Sequence, residues 1–172
     1  MIDVMYCETM ASYNQWMNQN LYQICANIPD AIRREDRGAF FKSIHGTLNH
    51  LLIADRIWLG RFTQQPFTAK LDQELYSEFA VLWHERQQTD EAILDWAKNL
   101  SADWLSQDFT YTSVSGNRTA TRPAWLLVTH LFNHQTHHRG QLTTLLSQLG
   151  YDPGVTDLPW MPNLMAVGHD LI

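Results

Sequence analysis

Leu127, Leu131, His134, His138, Leu142, Leu145 and Leu149 follow one another at steps of three or four along the last third of the chain. That spacing is the stripe a bundle helix turns toward its core, and it commits the segment to a long amphipathic α-helix. Two of its members are histidines, drawn from the cluster His130, His134, His137 and His138. At about 100° per residue, His138 lies roughly 40° and His134 roughly 80° from Leu142, whereas His130 and His137 fall about 100° or more away. The spacing therefore singles out His134 and His138 as the inward pair.

Imidazoles at i and i+4 are neighbours on one helix face, about 6 Å apart at Cβ, and suit two nitrogens converging on one metal ion. A neutral histidine among leucines still needs partners for both ring nitrogens, and two in one stripe double that demand. A cation satisfies both. The plainer alternative is a pair of hydrogen-bonded core or surface histidines, since HxxxH arises easily by chance.

Four segments carry helical periodicity. The first runs from about Met5 to Ile28 and stops at Pro29-Asp30; the second runs from about Gly38 to Phe62, with Phe41, Ile44, Leu48, Leu51, Asp55, Trp58 and Phe62 as its stripe. Asp55 is the odd member of that stripe. The third runs from about Gln73 to Leu100, apolar at both ends but without an apolar residue from His84 to Glu91, a stretch that faces solvent, the preferred reading, or borders a polar cavity. The fourth opens near Arg122-Pro123 and ends at Leu149-Gly150. Gly140 inside it costs about 0.5 to 1 kcal/mol relative to Ala, which suggests a close approach by a neighbouring helix or ligand. Between the third and fourth segments, Asp108 to Thr121 is rich in Thr, Tyr, Phe and Val around Ser115-Gly116-Asn117, as in a β-hairpin or extended loop. Three of the six prolines lie in the tail Tyr151 to Leu164, which excludes a long helix there. The expected fold is all-α: a four-helix bundle with that short excursion and a C-terminal loop, in a single domain over residues 1–172.

A hydrophobic content of 45% in 172 residues supports one real core. The net charge of -6 argues against nucleic acid as a major partner, because phosphate binding needs a clustered positive surface. No apolar run approaches the roughly 20 residues of a membrane span. The N-terminus has no basic region followed by a hydrophobic stretch, so the expected location is cytoplasmic. Cys7 and Cys25 would stand about 27 Å apart in one helix, beyond disulfide reach, and are read as core or boundary thiols. Seven tryptophans and a tail carrying Trp160 and Met161 suggest a homodimer.

Two histidines make an incomplete metal site, and the second helix offers His45 and His50. Both lie at edges of its stripe, and periodicity does not choose between them. The segments Tyr13-Asn14-Gln15-Trp16, Gly46 to His50 through Asp55 to Trp58, and His130 to Gln141 with its NHxxHHRGQ, together with Gly150 to Pro153, resemble the DinB/YfiT-like superfamily over nearly the whole chain. The resemblance implies a four-helix bundle with a three-histidine divalent metal site, one ligand from the second helix and two from the fourth. By position these are His50, His134 and His138.

Three imidazoles suit zinc, nickel, copper or iron(II), with zinc or nickel foremost; the absence of ExxH and of HExxH disfavours a ferritin-like di-iron site and a zinc-protease site. Three protein ligands leave open positions, the arrangement of catalytic metal sites. The resemblance brings in thiol-dependent transferases and isomerases that use low-molecular-weight thiols. The expected function is thus a metal-dependent enzyme, of thiol transferase or hydrolase type, acting on a small molecule. The alternative is a non-catalytic metal-binding or stress-response protein with a structural ion. Asp55 is a candidate for orienting a ligand, for pairing with Arg139 or for capping a polar cavity, and Asn14 and Asn49 are candidates for structural hydrogen bonds or substrate contact.

Overall fold

In a computed structural model, which describes residues 2–114, 116, 118–162 and 164, four long helices form the body of the molecule: α1 (Val4–Ala26), α3 (Ile44–Phe62), α4 (Phe79–Lys98) and α6 (Ala124–Gln148). Each packs against two others, in the cyclic order α1, α4, α3, α6. Two five-residue helices, α2 (Asp30–Arg34) and α5 (Ala102–Ser106), lie in the connections after α1 and α4. The bundle with a small β element is as the periodicity predicts.

The excursion before α6 is a hairpin. Strands β1 (Asp108–Thr112) and β2 (Thr119–Pro123) pair antiparallel, Asp108 opposite Pro123 and Thr112 opposite Thr119. The Thr110 and Thr121 hydroxyls meet across the ladder at 2.7 Å, the cross-strand pairing expected of threonines. Ser115 and Asn117 of the expected turn lie outside the described residues. In the tail, Leu158–Trp160 forms one 3₁₀ turn, and the Tyr13 hydroxyl donates to the Thr156 carbonyl at 2.5 Å, tying the C-terminal loop to α1.

Three boundaries differ from expectation for local reasons. α3 starts at Ile44 rather than near Gly38, because the Ser43 side chain accepts the Gly46 N–H at 3.0 Å and so caps the helix there. The preceding turn carries left-handed backbone at Gly38 and Lys42, which no helix tolerates. α4 starts at Phe79, so residues 63–78 form a long loop against α3. α6 begins only after Pro123, whose predecessors are drawn into β2.

The middle of α4 corrects the solvent-facing reading. His84, Gln87, Gln88 and Glu91 are exposed, but Arg86, Thr89 and Asp90 are buried. Their burial separates the two larger hydrophobic clusters, beside a small third one of Ile53, Ile57 and Ala69. Of the larger two, one is built on Met17, Leu21, Leu48, Leu52, Leu82 and Leu142, the other on Ala11, Trp58, Phe62, Ile93, Leu127 and Leu131. Gly140 corrects another expectation. A Cβ there would meet nothing within 4 Å among the described residues, so no neighbouring helix requires the glycine.

Candidate metal centre

α3 and α6 bring together three imidazoles. One ring nitrogen from each of His50, His134 and His138 lies within 4.8 Å of the other two. The Nε2 atoms of His134 and His138 stand 3.2 Å apart, close to the roughly 3.3 Å separating two nitrogens that each lie about 2.0–2.1 Å from one tetrahedral ion. Cys7 and Cys25 are buried elsewhere, in separate core clusters, with their thiols pushed up to about 12 by burial.

The hydrogen bonds on the far side of two rings fix which nitrogens face inward. His50 Nδ1 lies 2.8 Å from the Leu71 carbonyl oxygen. A carbonyl only accepts, so Nδ1 carries the proton and Nε2 keeps its lone pair. That Nε2 is buried without a partner. His138 Nδ1 likewise contacts Gln141 Oε1 at 2.8 Å, which leaves the His138 Nε2 lone pair toward His134. Outer contacts of this kind set tautomer and ring orientation at metal-binding histidines.

Burial also keeps the rings neutral. It lowers His50 to about 4, helped by repulsion from His138 and opposed by the Leu71 hydrogen bond. It lowers His134 to about 3, with further repulsion from the surrounding histidines. His138 is lowered for the same first reason. Three neutral imidazoles are a donor set without charge, ready to take a cation without first losing protons at neutral pH.

The remaining histidines are sorted by what they touch. His45, the other candidate on α3, is buried and directs Nε2 to the Tyr76 carbonyl at 2.9 Å, away from the cluster. His130 is exposed, with its ring 5.7 Å from His134 and 5.1 Å from Trp58. His137 is exposed and pairs with Gln141 Nε2 at 3.4 Å.

Asp55 does not reach the imidazoles. Its carboxylate forms an ion pair with Arg86 at 2.7 Å and accepts from the Gln135 amide. Arg86 also pairs with Asp90 at 2.8 Å, and Asp90 accepts from Asn14 and Asn18. Arg139 donates to the Asn14 side-chain oxygen rather than forming an ion pair with Asp55. Burial pushes Asp90 up to about 6 against the attraction of Arg86, and pulls Arg139 down to about 10. Asp55, Arg86, Asp90 and Arg139 balance to zero charge in a buried layer that, with Asn14, spans all four long helices. Asn14 belongs to that layer, so its role is structural.

Asn49 is structural too, but it serves the cluster. Its Oδ1 accepts the Leu75 and Tyr76 N–H groups at 2.9 and 3.1 Å, and its Nδ2 donates to the His45 and Tyr76 carbonyls. This clamp holds the loop that delivers the Leu71 carbonyl to His50. On the other side of His50, Phe41 stacks at 3.7 Å between ring centroids and meets His138 edge-on at 5.4 Å. Gly46 admits that aromatic, since a Cβ there would collide with the Phe41 carbonyl oxygen.

Leu71, Gln141 and Phe41 are the residues that sequence reasoning missed as partners of the cluster. Gln141 had a signal, three residues beyond His138 on the same helix. Leu71 had none, because it acts through its backbone. Phe41 was assigned to a helical stripe rather than to the turn that places it over His50.

The sequence profile of the DinB family matches residues 1–167. The chain is also similar to "Protein DinB" of Bacillus subtilis (strain 168), at 25% identity over 150 residues, a match covering 84% of this chain and 87% of that protein.

Proposed function

Because the chain belongs to the DinB family, we propose that it is a divalent-metal protein in which His50, His134 and His138 hold the ion through Nε2, leaving positions open to a small-molecule thiol or water. The observation that carries this reading is the buried, unpartnered Nε2 of His50, aimed at two further imidazoles whose Nε2 atoms are 3.2 Å apart. Buried polar atoms without partners are costly, and a cation among the three removes that cost. Zinc or nickel suits three neutral imidazoles, with iron(II) or copper also compatible in donor type.

An ion so held acidifies a bound thiol or water, which supplies a nucleophile at neutral pH for group transfer or hydrolysis. Around it, the Leu71 carbonyl and Gln141 orient two ligand rings, and Phe41 walls one side of the cluster. A structural ion is the second reading. The balanced Asp55–Arg86–Asp90–Arg139 layer favours the reactive one, because it already joins the four long helices without an ion.

Metal content measured by mass spectrometry tests the site. Wild type should carry about one equivalent, and the double variant His134→Ala, His138→Ala should carry almost none while keeping its helical circular dichroism. Equal content in both would overturn the assignment. Chelation that lowers the melting temperature sharply, with no turnover of electrophiles by any thiol, would favour the structural ion.

A further inference from the structure

We propose that a second site, between the β-hairpin and the C-terminal end of α3, binds a small carboxylic acid with an apolar body, its carboxylate held by Arg61. A cavity of about 400 Å³ opens there, lined among others by Ile57, Gly60, Phe67, Phe109 and Tyr111. That volume falls within the range of small-molecule sites, and such sites combine an apolar lining with a few convergent polar groups.

Two features show that the cavity is shaped by its own residues. Gly60 lets the loop after α3 come close: a Cβ there would fall 2.5 Å from the Gln65 carbonyl oxygen and 3.0 Å from the Phe67 nitrogen. The hairpin supplies the opposite wall through Phe109 and Tyr111, whose burial alternates with that of their exposed neighbours along β1.

The polar group is Arg61. Its guanidinium carbon lies 4.5 Å over the Trp58 ring and 5.1 Å over the Tyr111 ring, and one terminal nitrogen donates to the Thr112 carbonyl at 2.8 Å. Among the described residues no carboxylate forms an ion pair with it. Arg33, Arg34, Arg37, Arg56 and Arg86 all have one. Burial pulls the Arg61 pKa below its ordinary value, and the neighbouring Tyr111 phenol opposes that only in part. An arginine fixed by aromatic faces, with donors to spare, is preorganised for the planar fork of a carboxylate. The Tyr111 hydroxyl offers a further donor on the same wall.

The cavity lining includes none of His50, His134 and His138, and the test of the site needs no metal. 3-Phenylpropionate and its uncharged amide, 3-phenylpropanamide, serve as probes, with binding followed by tryptophan fluorescence and by two-dimensional NMR shifts of the hairpin amides. The acid should bind saturably and at least about tenfold more tightly than the amide, the factor lost with one charge-assisted contact. Arg61→Leu should lose about that tenfold, and Arg61→Lys part of it, because Lys keeps the charge without the planar fork. Equal binding of acid and amide by the wild type would overturn the proposal even if Arg61→Leu fails to fold, as would the absence of saturable binding or shifts confined to residues outside the cavity.

Discussion

Along the same turns of α6, His134 and His138 meet His50 of α3, while Gln135 and Arg139, one residue further on, meet Asp55 of α3 and Asn14 of α1. The two pairs end in opposite chemical states. Around Gln135 and Arg139, carboxylates and guanidinium groups meet one another and the charges cancel. Around His134 and His138 the rings are neutral, and the inward Nε2 of His50 lacks a partner. A buried cluster whose charges match holds a fold together, and one of neutral rings with an unpartnered nitrogen leaves room for something from outside.

The largest test of that contrast is Arg86→Ala. It strips Asp55 and Asp90 of their shared cation in a fully buried region, and should cost about 3–5 kcal/mol in denaturant unfolding. His134→Ala, measured without metal, should cost far less, because it removes a group whose Nδ1 has no protein partner. Equal losses would erase the distinction between the two clusters.

Acid titration gives a smaller effect with a definite sign. His50 and His134, held down to about 4 and about 3, refuse protons that the unfolded chain accepts once pH falls below the ordinary imidazole value of 6.5. Stability of the metal-free protein should therefore be full above about 6.5 and decline as pH falls toward about 4. Asp90, raised to about 6, works in the opposite sense over an overlapping range. The informative quantity is thus the difference between wild type and His50→Gln, His134→Gln. If melting temperatures of both decline in parallel, the imidazoles are not the source.

Gly140→Ala is the smallest effect. With nothing within 4 Å of the new methyl, it should stabilise the protein by about 0.5 to 1 kcal/mol and leave metal content unchanged. Destabilisation in thermal unfolding would show that the helix between the clusters is constrained by something else.

The α6 stripe was legible because periodicity reports directly on burial, and it singled out His134 and His138 over His130 and His137 from angle alone. Choosing His50 over His45 needed the family resemblance, since both sit at edges of one stripe and only the loop contact at Tyr76 turns His45 away. Asp55, Arg86 and Asp90 were harder to place. In sequence, Arg86 and Asp90 look like a hydrated run, and only packing of α4 against α1 and α3 shows that their charges meet inside. The loop at 63–78 was hidden in part because Leu75 and Phe79 imitate helical spacing while Asn49 holds that backbone from another element.

Asn49 and His50 are consecutive on α3, and the first grips the loop whose carbonyl steers the second. If the cluster takes an ion as proposed, order in that loop and ion affinity are reciprocal: whatever favours one by a given factor favours the other by the same factor. A molecule that settles on residues 63–78 would tune the centre without touching a ligand.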